Sequence, residues 1–423
     1  MPRFWISLTV ILVAAFMLTG CSSGAHAYKT GPLILVTDRP KPLAPLSAAE
    51  AERVTAEYSK IASDIVPFAD VITDARSGEN YIYSPISTWI CYAFLAGGLR
   101  DEAQSSLEAQ LESVTPLNPQ LKGRAIAERI EKINDADGAL MLKNFLFVNQ
   151  HYTVKDRFLD VADAFRASIF LMDLEQNDQV TDRINRMIEE ATHELIQDFY
   201  GQPIDPDVTS ILINILAMDA QWEQPFRKNN TMDRPFYLRD GSTVEVPMMW
   251  QEASFDYLDD EVAQYVCLPY TSGQTIVFML PKANITPEVA LQGWLQKPVR
   301  AHTFSRETVD LTLPRVSIES TWPLREPLEA MGLGYLFTGE LAGMDGILEN
   351  TSFTISDTKQ KARIEIFEEG TKAAAVTDIA VKDTAAMPTE PVELVFDRPF
   401  AFAVYDGEDS LELFRGVVYN PQP

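Results

Sequence analysis

The chain changes texture near residue 209, and that change restricts the folds open to it. Before it, apolar residues recur at helical spacing. Ser47-Ala-Ala-Glu50 has the form of a capping box and opens an amphipathic stretch to about residue 73, which Pro67 is expected to bend or break. Ser84-Pro85-Ile86-Ser87 starts a second helix, with proline tolerated in the first turn. Residues 86–95 are too apolar for a surface, so this helix belongs in the centre. Further helices are predicted over 103–111, 121–133, 155–167 and 182–200, the last with Ile184, Ile188, Ala191, Leu195 and Phe199 on one face. After residue 209 come β-branched and aromatic runs at 210–217, 234–238, 242–249, 264–269, 275–280 and 308–318. Arg239-Asp240-Gly241-Ser242 marks a hairpin, and 328–331 briefly returns to helix. Helices followed by strands predict an α+β fold. Without a 20–50-residue repeat or low-complexity block, residues 47–423 read as one domain.

The N-terminus is a separate element. Arg3, an apolar run over 4–18 and the sequence Leu18-Thr19-Gly20-Cys21 form an export signal too short to span a membrane. Leu-x-Gly-Cys resembles the bacterial lipobox. That resemblance implies removal of residues 1–20 as a lipoprotein signal peptide and lipidation of Cys21, anchoring the exported protein to the cell envelope or cell surface. Residues 21–46, with Pro32, Pro40, Pro42 and Pro45, are expected to form an extended tether. The net charge of −26, from 35 basic and 61 acidic residues, argues against a nucleic-acid partner. The remaining cysteines, Cys91 and Cys267, sit in apolar surroundings and read as buried small hydrophobes. They provide neither a disulfide framework nor metal-site spacing.

An exported hydrolase would carry recognisable catalytic parts. There is no Gly-x-Ser-x-Gly elbow and no His-Glu-x-x-His helix, and the histidines are His26, His151, His193 and His302, none paired with a nucleophile. Gly332-Leu333-Gly334 is too short for a dinucleotide fingerprint. Glu189-Glu190 and Asp259-Asp260 read as solvated faces of an acidic chain. The sequence therefore predicts no enzyme, cofactor or metal.

The informative segment follows a strand-like run at 362–367. Extended, residues 371–382 would place Thr371, Ala373, Ala375, Thr377, Ile379 and Val381 on one uncharged face and Lys372, Ala374, Val376, Asp378, Ala380 and Lys382 on the other. A solvated loop has no use for that alternation; a strand entering the middle of a sheet requires it.

Gly370-Thr371-Lys372-Ala373-Ala374-Ala375 resembles the hinge of the serpins, and the resemblance runs along nearly all the domain. Asn80-x-x-x-Ser84-Pro85-x-Ser87, Asn144-x-Leu-Phe-Val148, Asn214, Trp222-x-x-Pro225-Phe226, Val246-Pro247-Met248-Met249, Leu313-Pro314-Arg315, Phe396-Asp397-Arg398-Pro399-Phe400 and the run from Leu413 to Pro421 match in order. The resemblance implies three β-sheets, eight or nine helices and an exposed reactive-centre loop at about 368–392. It also implies suicide inhibition of serine or cysteine proteases: cleavage acylates the protease, and the freed segment inserts into the large sheet. By position, Ser84, Ser87, Asn214 and Gln360 match the shutter beneath that sheet and Trp222 the breach at its top. Glu368 and Arg315 match a charge pair there, and Glu368, Gly370, Thr371, Ala373, Ala374 and Ala375 form the hinge. The family's shutter histidine is Gln360 here, its Thr-x-Gly-Lys helix pattern is Thr192-His193-Glu194-Leu195, and its Phe-Lys-Gly before the tryptophan is Met218-Asp219-Ala220.

Counting from Gly370 by the family convention places the reactive bond at Thr384–Ala385, with Ala386 and Met387 as alternatives. Such residues suit proteases with shallow apolar pockets, elastase-like or subtilisin-like. The expected protein is a monomeric, lipid-anchored protease inhibitor. The alternative is a noninhibitory relative acting as a binding protein at the cell surface.

Overall fold

A computed structural model describes residues 31–37, 42–74, 76, 78–112, 116, 118–135, 139–297, 301–371, 390–407 and 411–422. Cys21, Ala373, Ala374, Ala375, Thr384, Ala385, Ala386 and Met387 lie outside the described residues. Helix α1 (Ala48–Thr73) opens on the expected capping box: Glu50 N–H donates to Ser47 Oγ and Ser47 N–H to Glu50 Oε2. It does not break at Pro67, being held by a buried stripe that includes Tyr58, Ile61, Ile65, Phe68 and Ile72. Packing on one face outweighs the backbone bond that proline removes. Helix α2 (Pro85–Gly98) begins with proline and is buried along nearly its whole length. Helices α3 (Asp101–Leu111), α4 (Pro119–Asp135) and α5 (Asp156–Ala164) follow.

Helix α6 (Asn177–Ala191) differs from its predicted span of 182–200. It stops where His193 and Glu194 take left-handed backbone angles, φ 49° and 64°. Thr192 Oγ1 accepts the Ile196 N–H beyond. Leu195 and Phe199 remain buried, so the apolar spacing was real although the helix ends before them. Helices α7 (Pro287–Leu295), α8 (Arg325–Ala330) and α9 (Tyr335–Thr338) complete nine α-helices among the described residues.

The large sheet contains β1 (Leu33–Leu35), β4 (Ser168–Met172), β3 (Leu140–Asn149), β5 (Ser210–Met218), β13 (Asp357–Phe367), β14 (Gly370–Thr371) and β6 (Ala220–Gln221) in that order. Beside β13 lies β12 (Val316–Pro323). The tether expectation for 21–46 fails at β1, which pairs antiparallel with β4 and buries Leu33 to 1% exposure. Three residues with one apolar side suffice when a sheet edge awaits them, and three are too few to show periodicity.

A second hydrogen-bonded network has nine strands. Its order is β15 (Val392–Val395), β11 (Ser305–Pro314), β8 (Thr243–Asp259), β9 (Ala263–Pro269), β10 (Thr275–Pro281), β16 (Phe400–Tyr405), β17 (Glu412–Val418) and β2 (Tyr81–Tyr83), with β7 (Met232–Tyr237) beside β8. The long β8 pairs with β7 and β11 over much of its length and with β9 at its far end, joining two smaller sheets into one network. The single run predicted at 308–318 is two strands, β11 and β12, in different networks. They part at Arg315, whose N–H donates to the Pro247 carbonyl. Cys91 and Cys267 are free and buried, and burial pushes both thiol pKa values up.

Candidate functional site: shutter, breach and hinge

Side chains alternate across each strand, so one row of the large sheet faces α2. In that row Asn144, Asn214 and Gln360 are direct cross-strand neighbours on β3, β5 and β13. Asn214 Nδ2 donates to Asn144 Oδ1 at 2.6 Å and Asn214 Oδ1 accepts from Ser87 Oγ. Gln360 Oε1 accepts the Ser84 N–H at 2.9 Å. Gln360 Nε2 lies 2.9 Å from the Ser84 carbonyl, 3.1 Å from Ser87 Oγ and 2.7 Å from Thr88 Oγ1. All six residues are buried. The four predicted shutter residues thus meet in one cluster, joined by Asn144 and Thr88. Ser84 Oγ and Asn144 Nδ2 are buried without a hydrogen-bond partner among the described residues. An unmet buried polar atom is costly, so these two atoms favour any rearrangement that supplies a partner.

Pairing between β5 and β13 covers only Ile211–Ile215 against Asp357–Lys361. On the same side of β13, pairing resumes at Ile366 with Thr371 and Phe367 with Gly370, in antiparallel sense. The start of the predicted hinge is a strand, seated between β13 and β6, where Gly370 pairs with Gln221 and Thr371 with Ala220. Gly370 takes φ +148°, and a Cβ there would lie 2.1 Å from the Ala220 carbonyl oxygen, so this crossing requires glycine.

At the predicted breach, Trp222 Nε1 donates to the Phe367 carbonyl at 2.9 Å and its backbone N–H to the Glu369 carbonyl at 3.0 Å. Its ring stacks on Tyr270, centroids 4.3 Å apart, and the Tyr270 hydroxyl meets Thr371 Oγ1 at 2.8 Å. Arg315 grips Glu368 through Nε (3.0 and 3.1 Å) and Nη2 (2.6 Å), and Thr231 Oγ1 donates to the same carboxylate. Burial acts to raise the Glu368 pKa, but the bonds from Arg315 and Thr231 outweigh it and the net shift is downward. Lys228 pairs with Glu369. Glu368, Gly370, Thr371, Trp222 and Arg315 are thus one continuous assembly.

Tyr270 was missed in the sequence reading, as was a clamp on the opposite face of the sheet. There the segment after α6 reaches β13: Tyr200 OH donates to Asp357 Oδ2 and Lys361 Nζ to the Gln197 carbonyl, both at 2.8 Å. Lys359 Nζ sits 3.7 Å from the Tyr200 ring centroid. Asn185 on α6 bonds both backbone groups of Tyr200. Burial, then the Asp357 charge, pushes the Tyr200 phenol well up, and burial lowers the Lys359 pKa. His302 stacks on Trp294, centroids 3.8 Å apart, away from the shutter and breach. Among the described residues, no helix is long and apolar enough to cross a membrane.

The serpin family, described as "Serpin (serine protease inhibitor)", matches residues 67–421. The chain belongs to that family. It is 29% identical over 358 residues to Serpin A3-7 of Bos taurus, covering 81% of this chain and 84% of that one. It is 28% identical over 376 residues to Alpha-1-antiproteinase 2 of Equus caballus, covering 86% and 87%. Among solved structures, human thyroxine-binding globulin superposes with a TM-score of 0.75 at 25% identity, covering 87% of this chain and all of that one. The thermophilic serpin tengpin, in its native state, superposes with a TM-score of 0.75 at 24% identity, covering 91% and 97%. The expected α+β serpin fold is present.

Proposed function

We propose that this chain is a suicide inhibitor of serine proteases with small-residue specificity, elastase-like or subtilisin-like, acting as a monomer held to a membrane by lipid on Cys21. The reactive bond is Thr384–Ala385, with Ala386 and Met387 as alternatives. Attack there opens the loop and acylates the protease, and the hinge segment then zips into the large sheet between β5 and β13. Gly370 and Thr371, already seated between β13 and β6 at the mouth of that slot, carry the reading. Continuing their register along β13 sets Ala373 against Ile364, Ala375 against Ala362 and Thr377 against Gln360. The uncharged face then lies over the core, and the Thr377 hydroxyl arrives beside the unpartnered Ser84 Oγ and Asn144 Nδ2. The uncleaved molecule is a kinetic trap. The bacterial lipoprotein part of the proposal is supported by Arg3, the apolar run over 4–18 and the box Leu18-Thr19-Gly20-Cys21.

Incubation with an elastase-like protease should give a covalent complex that survives boiling in detergent. Mass spectrometry of the released C-terminal fragment should begin it at Ala385. The likeness to thyroxine-binding globulin favours the second reading, a noninhibitory binding protein. That reading is correct if the loop is cut with no covalent complex and no gain in melting temperature.

A further inference from the structure

Strand β1 enters the large sheet at one particular end. Leu33 pairs with Met172, which is level with Asn149 on β3. The next ladder sets Val148 against Ser210, and Ile211 lies against Asp357 at the start of β13. Residue 32 arrives at this same end, its carbonyl accepting the Asp173 N–H at 2.9 Å. The hinge leaves from the other end, at Phe367–Thr371, a strand length of about 33 Å away. Beyond the three ladder pairs, Val36 N–H donates to the Ile169 carbonyl and Ile169 N–H to Thr37 Oγ1, so the strand is fastened at both ends.

We propose that β1 is a docking strand that fastens the membrane anchor to the pole of the large sheet opposite the reactive loop. The anchored domain then stands with its hinge facing away from the membrane. The proposal rests on the lipid anchor and the insertion mechanism proposed above. Cys21 is twelve residues from Leu33, a reach of at most about 40 Å. The register that sets Thr371 against Ile366 would bring an inserted Thr384 level with Phe353, past the start of β13. A trapped protease is therefore delivered to the pole that carries the anchor. The inhibitor captures outward and stores inward, against the membrane.

The test uses the full lipidated chain on phosphatidylcholine vesicles containing acceptor-labelled lipid. A donor dye goes on Asp207→Cys at the anchor pole or on Asp233→Cys beside the breach. Both positions are exposed, and the buried Cys91 and Cys267 are left in place. Energy transfer should be several-fold stronger from position 207. Donor-labelled elastase-like protease should show increased transfer once its covalent complex has formed. Inserting about twenty Gly/Ser residues between Thr30 and Gly31 should reduce the contrast several-fold without releasing the protein from vesicles. Equal or reversed transfer from positions 207 and 233, with flotation intact, overturns the proposal alone. Failure to float overturns the anchor reading and this proposal with it. A covalent complex without the increase in transfer overturns the delivery of the protease to the membrane side.

Discussion

The Tyr270 hydroxyl and Thr371 Oγ1 meet at 2.8 Å with both residues buried, tying the end of β14 to the ring that stacks on Trp222. Tyr270→Phe keeps the stack and removes the bond. It should destabilise the uncleaved form by about 1 kcal/mol. Hydrogen exchange at the Thr371 amide should accelerate, while a circular dichroism melt of the cleaved form changes little.

Thr371 is 1% exposed. Thr371→Arg would place a charge in the sheet interior, and Thr377→Glu would carry one to the shutter during insertion. Both variants should be cut at the normal rate yet form little covalent complex. Several protease turnovers per inhibitor in a titration would confirm this, and an unchanged one-to-one endpoint would refute the register.

The Glu368 carboxyl is held below its ordinary range, so the unfolded chain binds its proton first as pH falls. Stability from the Arg315 pair is therefore complete above about pH 4.5 and is lost as pH drops through the lower folded value. Trp222 fluorescence should report breach opening in that acid window, and Glu368→Gln should remove the transition.

Gln360 cannot titrate, so the shutter should open equally readily at pH 5 and pH 8. In Gln360→His a buried imidazole would stay neutral, its folded pKa below the unfolded ~6.5. Protonation would then favour the opened or unfolded chain, and melting temperature should fall with acidification below about pH 6.5. A flat profile for the variant would show that the shutter tolerates charge.

Full insertion must separate Asp357–Lys361 from Ile211–Ile215, the same stretch that the Tyr200 clamp covers. Tyr200→Phe and Lys361→Met should each lower the melting temperature of the uncleaved form by a few degrees. Both should speed loop insertion in stopped-flow fluorescence. Slower insertion would mean that the clamp guides the strand instead of blocking it.

The sequence made local features legible: the Ser47–Glu50 box, the Pro85 helix start and the uncharged face that begins at Thr371. Resemblance supplied pairs distant in the chain, such as Arg315 with Glu368, which no local pattern could join. Tyr270 and Tyr200 stayed hidden because an aromatic residue beside a strand or past a helix end reads as ordinary core. The partition at Arg315 escaped because Pro314 is flanked by strand formers on both sides, and nothing in their composition says that they serve different sheets. The end of α6 was overrun because Leu195 and Phe199 keep the apolar spacing after the backbone has turned.

Cys91 and Cys267, separate and enclosed, leave the described domain without a covalent stitch between its layers. Among the described residues it is packing and polar contacts that would restrain the proposed rearrangement, so a reductant should not release it and a mild oxidant should not lock it. Such a molecule would keep one readiness to spring whether its surroundings are aerated or strongly reducing.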